Sequence, residues 1–297
     1  TSRSFSITVN RVFTSTSFTS SGTFAVPSGT SSLSEVMVVA GGGSSGYDHG
    51  GGGGAGGLVY MPCYPVAPGG TITVTVGCGG GTNLNPASRG DNGQDSAFGS
   101  PGDPGFSPTS TVLTAKGGGG GGGGNTNVCG SDGGSGGGGS GHGNNPVPSV
   151  NNYSTATQPT QSGNSGAYGF GNPGGRGERT APGSVFGGGG GGAGNAGAQG
   201  NGAHPSSPKT CSQGGDGKAY TIADGTSPVY YAGGGAGSHY NSSWTPRSGG
   251  QGGGGNSRNN TNANSGQTGT ANRGGGGGAQ ASPTAGGGGK GIVIVRY

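Results

Sequence analysis

Side chains able to do chemistry are few in this sequence, and they stand far apart. The four histidines, His49, His142, His204 and His239, lie in separate polar stretches, and no two are spaced as a metal-binding pair. Serine is so abundant that a Ser-His-Asp set can be assembled on paper from many positions, which says nothing about a nucleophile. Gly286–Gly289, followed by Lys290 and Gly291, comes nearest to a phosphate-binding loop. Its spacing fails, and no Ser or Thr follows the lysine to meet Mg²⁺. The expectation is a protein that is not an enzyme and that carries no metal or other cofactor.

Aromatic placement is more informative. The sole tryptophan, Trp244, shares the short stretch 238–247 with His239, Tyr240, Asn241 and Arg247. Flat aromatic faces beside amides and a guanidinium suit a sugar ring or a protein loop, the kind of contact in which Trp, Tyr and Arg dominate binding. Tyr153, Tyr168 and Phe170 sit in similar polar stretches, and Asp48 lies between Tyr47 and His49 in a second small cluster. These ten residues, Trp244, Tyr240, His239, Asn241, Arg247, Tyr153, Tyr168, Phe170, Tyr47 and His49, are the receptor-binding candidates. The alternative for Trp244 and Tyr240 is that they only anchor their own loop. Asn152, Asn241 and Asn259 begin Asn-x-Ser/Thr triplets, which matter only on a eukaryotic secretory route.

What must position these loops is glycine. It supplies 85 of the 297 residues, with eight in succession at Gly117–Gly124 and shorter runs near 51–54, 136–139, 187–192, 252–255, 274–278 and 286–289. Pure glycine makes a poor helix, each residue costing about 1 kcal/mol relative to alanine. In the polyproline-II conformation, by contrast, every N–H and C=O points outward on a threefold helix. Two such helices can hydrogen-bond side by side when no Cβ intervenes. The runs are therefore expected to be parallel rods, zipped together by main-chain bonds, with chemistry confined to the loops between them.

The composition leaves little else to hold the chain. Leu, Ile, Val and Phe together supply 35 residues, fewer than an ordinary core needs. Charged residues make up only 7% and the net charge is +4. The cations are scattered with no basic stripe to follow phosphates, so nucleic acid is not an expected partner. No apolar stretch approaches the roughly 18–20 residues that span a bilayer, so membrane insertion is not expected either. The first residues carry no basic-then-apolar leader and no Met, which suggests a mature product, a processed piece or a segment of something longer. Cys63, Cys78, Cys129 and Cys211 allow three disulfide pairings or none.

Strand signals frame the glycine. Phe5, Ile7 and Val9 alternate with small polar residues in 1–22, an arm expected to dock on another chain or on the body. Phe24–Ala40 holds two short strands joined by a Pro-Ser-Gly turn, and Val36–Ala40 is apolar on both faces. Leu58–Val66 and Thr71–Val76 flank Ala67-Pro-Gly-Gly70 and are expected to form a hairpin. Ser96–Phe98 and Thr111–Ala115 are further candidates, and Ile292–Tyr297 is expected to pair with Val36–Val39. The expected fold is mostly irregular and β, a polyglycine-II helix bundle closed by a small β-sheet, with no α-helix. The arm is 1–22. The glycine-rich domain is 23–297, with its β framework in 23–116 and 290–297 and its rods in 117–289.

Several stretches resemble the glycine-rich domain of phage tail-fibre and other virion proteins. They are Phe24-Ala-Val-Pro-Ser-Gly29, Val36-Met-Val-Val-Ala-Gly-Gly-Gly43, Pro68-Gly-Gly-Thr-Ile-Thr-Val-Thr-Val-Gly77, Asn92-Gly-Gln-Asp-Ser-Ala-Phe98 and Gly289-Lys-Gly-Ile-Val-Ile-Val-Arg-Tyr297. The runs and loops are also similar to the receptor-binding adhesins at the distal tips of T-even-type tail fibres. The resemblance covers roughly residues 23–297 and leaves the Phe5–Phe18 arm without a counterpart. It implies a sandwich of polyglycine-II rods whose loops contact a host-surface glycan or outer-membrane protein, on a virion or otherwise outside the cell. The rival expectation is a subunit of an extracellular filament, its arm adding a strand to a neighbouring subunit. Ice binding by flat rod faces is a third, disfavoured by the long irregular loops.

Overall fold

The computed structural model describes residues 13–82, 88–124, 129–141, 152–158, 169–181, 184–200, 212–239, 247–257, 266–280 and 284–297. Among them are strands β1 (Ser15–Phe18), β2 (Gly22–Ala25), β3 (Ser32–Val39), β4 (Leu58–Pro65), β5 (Thr71–Thr75), β6 (Ser96–Phe98) and β7 (Leu113–Ala115). The later strands are β8 (Gly169–Phe170), β9 (Glu178–Ala181), β10 (Ser184–Phe186), β11 (Lys218–Tyr220), β12 (Val229–Tyr231) and β13 (Ile292–Arg296). The described residues contain no α-helix.

The two richest apolar runs find each other. β13 pairs antiparallel with β3, Ile292 opposite Val39 and Val295 opposite Val36, inside a five-stranded sheet ordered β1-β13-β3-β4-β8. A four-stranded sheet, β2-β5-β6-β7, packs against one face of it. Val36, Val38, Val59, Met61, Tyr64, Val293 and Val295 meet Phe24, Ile72, Val74, Phe98 and Leu113 there. The other face is covered by the β11–β12 pair, where Ile222 and Tyr231 bury Met37, Val39, Leu58, Ile292 and Ile294. Covering on both sides explains why the strand sequences run continuously apolar instead of alternating.

The expected hairpin of Leu58–Val66 with Thr71–Val76 does not form. β4 pairs with β3 and β8, while β5 pairs with β2 and β6, so the two lie in different sheets. The turn at Ala67–Gly70, with Gly69 at φ 74°, carries the chain across the sandwich. Both strands have a fully buried face, and facing each other across the core buries both, which pairing edge to edge would not.

A local reversal makes this possible. Val36 lies opposite Met61 and Leu33 opposite Tyr64, three positions apart, yet all four belong to the inter-sheet core. Strict alternation would turn one pair outward. Cys63 takes a left-handed φ of 53°, which switches the faces and returns Tyr64 to the core, where its hydroxyl donates to the Thr111 carbonyl at 2.7 Å. The Cys63 thiol is left exposed and unbridged, as is Cys78, and Cys129 is half-buried and unbridged.

The glycine runs obey a period of three. Gly41, Gly42 and Gly43 donate to Gln94, Gly289 and Gly54, and the next three residues, Ser44, Ser45 and Gly46, donate to Asp91, Gly286 and Gly51 in the same three neighbours. No glycine in 41–46, 51–57, 117–123 or 187–192 has a positive φ, so these are polyproline-II-type helices of one hand. Rod 41–46 also accepts from Gly80, Gly118, Gly121 and Gly277 and is thus ringed by six segments. Rods 51–57 and 187–192 are surrounded in the same way. A Cβ built on Gly42, Gly53 or Gly190 would overlap the carbonyl of Gly275, Gly43 or Gly53. The rods therefore need glycine for its missing side chain.

Where a rod has no neighbour, a side chain replaces one. Asn92 Oδ1 accepts the Gly120 N–H at 2.9 Å and Asp95 Oδ1 accepts the Gly117 N–H at 2.8 Å. Asp216 does the same for Gln251, and Gln158 for Lys116.

Two expected boundaries shift. Rods 41–46 and 51–57 lie inside the stretch assigned to the β framework, because those glycines join the same lattice. Residues 13–22, assigned to the arm, belong to the body: β1 pairs with β13, Ser15 opposite Arg296, and Phe18 packs edge-on against Phe24. Phe5, Ile7 and Val9 lie outside the described residues.

Candidate binding surface at the rod ends

Rod directions follow from the bond register, and they sort the connections between rods into two ends. Gly118 and Gly121 bond to Gly41 and Ser44, so 117–124 runs parallel to 41–46, away from the sheets. Gly51 and Gly54 bond to Gly122 and Gly119, so 51–57 runs back toward them. The same reading makes 135–141, 172–177, 195–200, 232–238 and 274–280 outbound and 187–192, 212–217 and 284–291 inbound. One end of the bundle is therefore the double sheet. The other, the tip, carries Tyr47–Gly50, the β9–β10 pair, and the described flanks Thr82 and Ser88, Gly141 and Asn152, Gly200 and Ser212, His239 and Arg247, and Gln280 and Thr284.

At the tip the short connections are built inward. Asp48 and His49 both take left-handed φ, 54° and 60°, to reverse the chain in the three residues between Gly46 and Gly50. Such a tight reversal leaves no room to project. His49 is only 8% exposed, its Nε2 lies 3.3 Å from Asp48 Oδ1, and its carbonyl accepts from Gly141 N–H and Ser140 Oγ. The Tyr47 carbonyl accepts the Gly124 N–H, and Tyr47 bridges to Gln280.

His239 is fully buried and bridges to Phe186, and Arg247 is 5% exposed with its N–H held by Ser257 Oγ. His49, His239 and Arg247 thus anchor the tip where the sequence had offered them to a receptor, because each stands at the junction of a rod with its loop. Asn152 is buried as well. Its amide donates to the carbonyls of Ser140 and Gly177, so its glycan triplet is inaccessible. Tyr153, next to it, is half-buried.

Phe170 is at the opposite end. It lies on β8 beside Leu58, with the Lys218 ammonium 4.2 Å from its ring centroid. Half-buried, it packs against the apolar layer beneath β11–β12, and Tyr60 stacks on Tyr220 close by at 4.5 Å. Trp244, Tyr240, Asn241 and Tyr168 lie outside the described residues. The described residues that flank the first three in sequence, His239 and Arg247, stand at the tip. Sequence reasoning passed over Glu178 and Arg179, half-buried on β9 at the tip, although the Ala181-Pro-Gly-Ser184 turn between two short runs signals that strand pair.

The sheet end has its own polar chemistry. Arg296 pairs with Glu35 at 3.4 Å and lies under the Phe13 ring at 4.4 Å, and the Tyr60 hydroxyl donates to Glu35 at 2.6 Å. Burial, and then that hydrogen bond, raises the Tyr60 phenol far above its usual pKa. Among the described residues no three His, Cys, Asp or Glu side chains gather as a metal cluster.

Threefold glycine rods, the inner ones each ringed by six segments and closed at one end by a double β-sheet, define a polyglycine-II bundle. The glycine-rich domain family matches residues 16–297, and the chain belongs to it. No curated protein matches the chain.

Proposed function

We propose that the chain is a non-enzymatic receptor-binding adhesin at the tip of a viral tail fibre, contacting a host-surface glycan or outer-membrane protein. One observation carries the reading: the alternation of rod directions brings the described flanks of the connections, His239 and Arg247 among them, to the end opposite the double sheet. A glycine bundle with its loops gathered at one end is the layout a fibre tip requires, binding residues on loops held by a stiff scaffold. Attachment to the fibre falls to the sheet end, and the protein works on the virion, outside the cell.

The test is adsorption of the labelled chain to a panel of bacterial strains and their outer-membrane vesicles. Trp244→Ala and Tyr240→Ala should weaken binding about tenfold or more, as for interfacial hot spots. Tyr230→Ala, exposed near the sheets, should leave it unchanged. Equal binding by all variants, or adsorption to no strain, defeats the adhesin.

A second reading is a subunit of an extracellular filament assembled by strand addition; among the described residues β1 pairs only with β13, which leaves its other edge to such a strand. Electron microscopy separates the two: an adhesin gives discrete particles, a filament subunit gives fibres that vanish without residues 1–22.

A further inference from the structure

At the tip, the buried polar atoms Arg247 Nε and Ser212 Oγ lie on adjoining rods and meet no hydrogen-bond partner. The Gly214 and Gly217 N–H groups donate to the carbonyls of Ser248 and Gln251, so 212–217 and 247–251 run parallel and bring Ser212 and Arg247 to nearly the same level. The Arg247 main chain is fixed: its N–H donates to Ser257 Oγ and its carbonyl accepts the Ser257 N–H, both at 2.9 Å. Its guanidinium is not, and none of the ion pairs among the described residues includes it. Asp216, on the adjoining rod, is committed to the Gln251 N–H at 2.8 Å. Ser212 is wholly buried at a left-handed φ of 62°. Native proteins leave few buried polar groups unsatisfied, and a charge taken out of water is costly unless it is paired. Arg247 keeps 5% of its surface in solvent, which puts it within reach of a group entering at the tip.

We propose that Arg247 and Ser212 bind an oxyanion, the phosphate or carboxylate of a host-surface glycan. The inference rests on the adhesin reading and names the chemistry that the receptor must carry. A guanidinium fork meets two oxygens of either group at once, and a serine hydroxyl supplies a further donor. The bonds to Ser257 hold the base of the fork before any ligand arrives, so little main-chain order is lost on binding. The occupant is a glycan and not a protein loop, because the adjoining positions Gly214, Gly237 and Ser248 bring no apolar side chain. A protein anchor fills a well-packed, desolvated pocket, whereas a charged sugar substituent needs donors. Arg247 thus has two parts: its main chain anchors the rod, and its head serves the ligand.

The test begins with melting of the full chain at constant ionic strength, titrated with inorganic phosphate or with glucuronate, beside Arg247→Met and Arg247→Lys. An anion that binds only the folded chain raises its melting temperature as the site fills. The expected result is a saturable rise for the native chain, none for Arg247→Met, and a weaker one for Arg247→Lys, which keeps the charge and loses the fork. Without added anion, Arg247→Met should melt no lower than the native chain, since it removes an unpaired charge. No rise with either anion overturns the proposal. So does a rise that Arg247→Met shares equally, which is general salt stabilisation. The second arm is adsorption to vesicles carrying lipopolysaccharide and to vesicles carrying outer-membrane protein without it. Arg247→Met should lose about tenfold or more on the first. A loss confined to the second puts the anion on a protein and overturns the glycan. Adsorption that Arg247→Met leaves untouched refutes the anion site and spares the adhesin, whereas anion binding by a chain that adsorbs to no cell refutes the adhesin alone.

Discussion

The Gly53 N–H reaches the carbonyl of Gly277 at 2.9 Å from the middle of a rod that six other segments surround. A methyl group at Gly53 would overlap the Gly43 carbonyl, and the obstacle is backbone on every side. Ordinary cores absorb one extra methyl by shifting side chains, at about 1–3 kcal/mol. Here nothing can shift without breaking main-chain bonds in neighbouring rods. Gly53→Ala should therefore cost at least about 3 kcal/mol or prevent folding. Gly81→Ala should be nearly neutral, because the nearest atom to a Cβ there is the Asp91 carboxylate at 3.4 Å. Thermal unfolding of both variants checks this, and similar melting temperatures would contradict the lattice.

Asn92 tests how the outer rods are finished. Its Oδ1 is the acceptor for Gly120, whose N–H has no rod to meet on that side. Asn92→Ala leaves a buried donor unsatisfied, a loss of about 1–3 kcal/mol. Asn92→Asp keeps the acceptor and should recover most of it. Urea denaturation of the two variants gives the comparison.

Asp103 sets a pH dependence. Burial works against its charged form, but hydrogen bonds from Thr73 N–H and Oγ and from Ser100 N–H hold its carboxyl below the usual range. A carboxyl depressed on folding contributes stability that is present above its unfolded value of about 3.9 and is lost as pH falls through the folded value. The melting temperature of the native chain should exceed that of Asp103→Asn at pH 6, and the gap should close on acidification below pH 4. A gap independent of pH would assign the effect to packing.

Legibility in the sequence followed the kind of force involved. Apolar runs announced their own pairing, so Val36–Val39 with Ile292–Val295 and the strand Ser96–Phe98 were readable. The β4–β5 hairpin was misread because Ala67-Pro-Gly-Gly70 looks the same whether it joins neighbours in a sheet or crosses between sheets. Only the burial of Tyr64 against Phe98, at 5.4 Å between rings, tells them apart. Glycine runs announced rods but not their order, since a run without side chains carries no signal of which neighbour it meets. His239 and Arg247 looked like loop residues because their positions at rod junctions depend on that order.

The tip separates anchors from contacts, and the difference is measurable at neighbouring positions. His239 is fully buried against Phe186 and the rods, so His239→Ala removes packing and should lower stability by about 2 kcal/mol. Cell adsorption by the folded fraction of that variant should stay within about twofold of the native chain. Trp244→Ala, in the connection between His239 and Arg247, should do the reverse, lowering adsorption about tenfold with little change in melting temperature. Measuring melting and adsorption on the same two proteins gives a double dissociation if the tip is a receptor surface. If Trp244→Ala instead lowers the melting temperature and leaves adsorption intact, Trp244 is an anchor like His239, and the binding face must be sought elsewhere on the bundle.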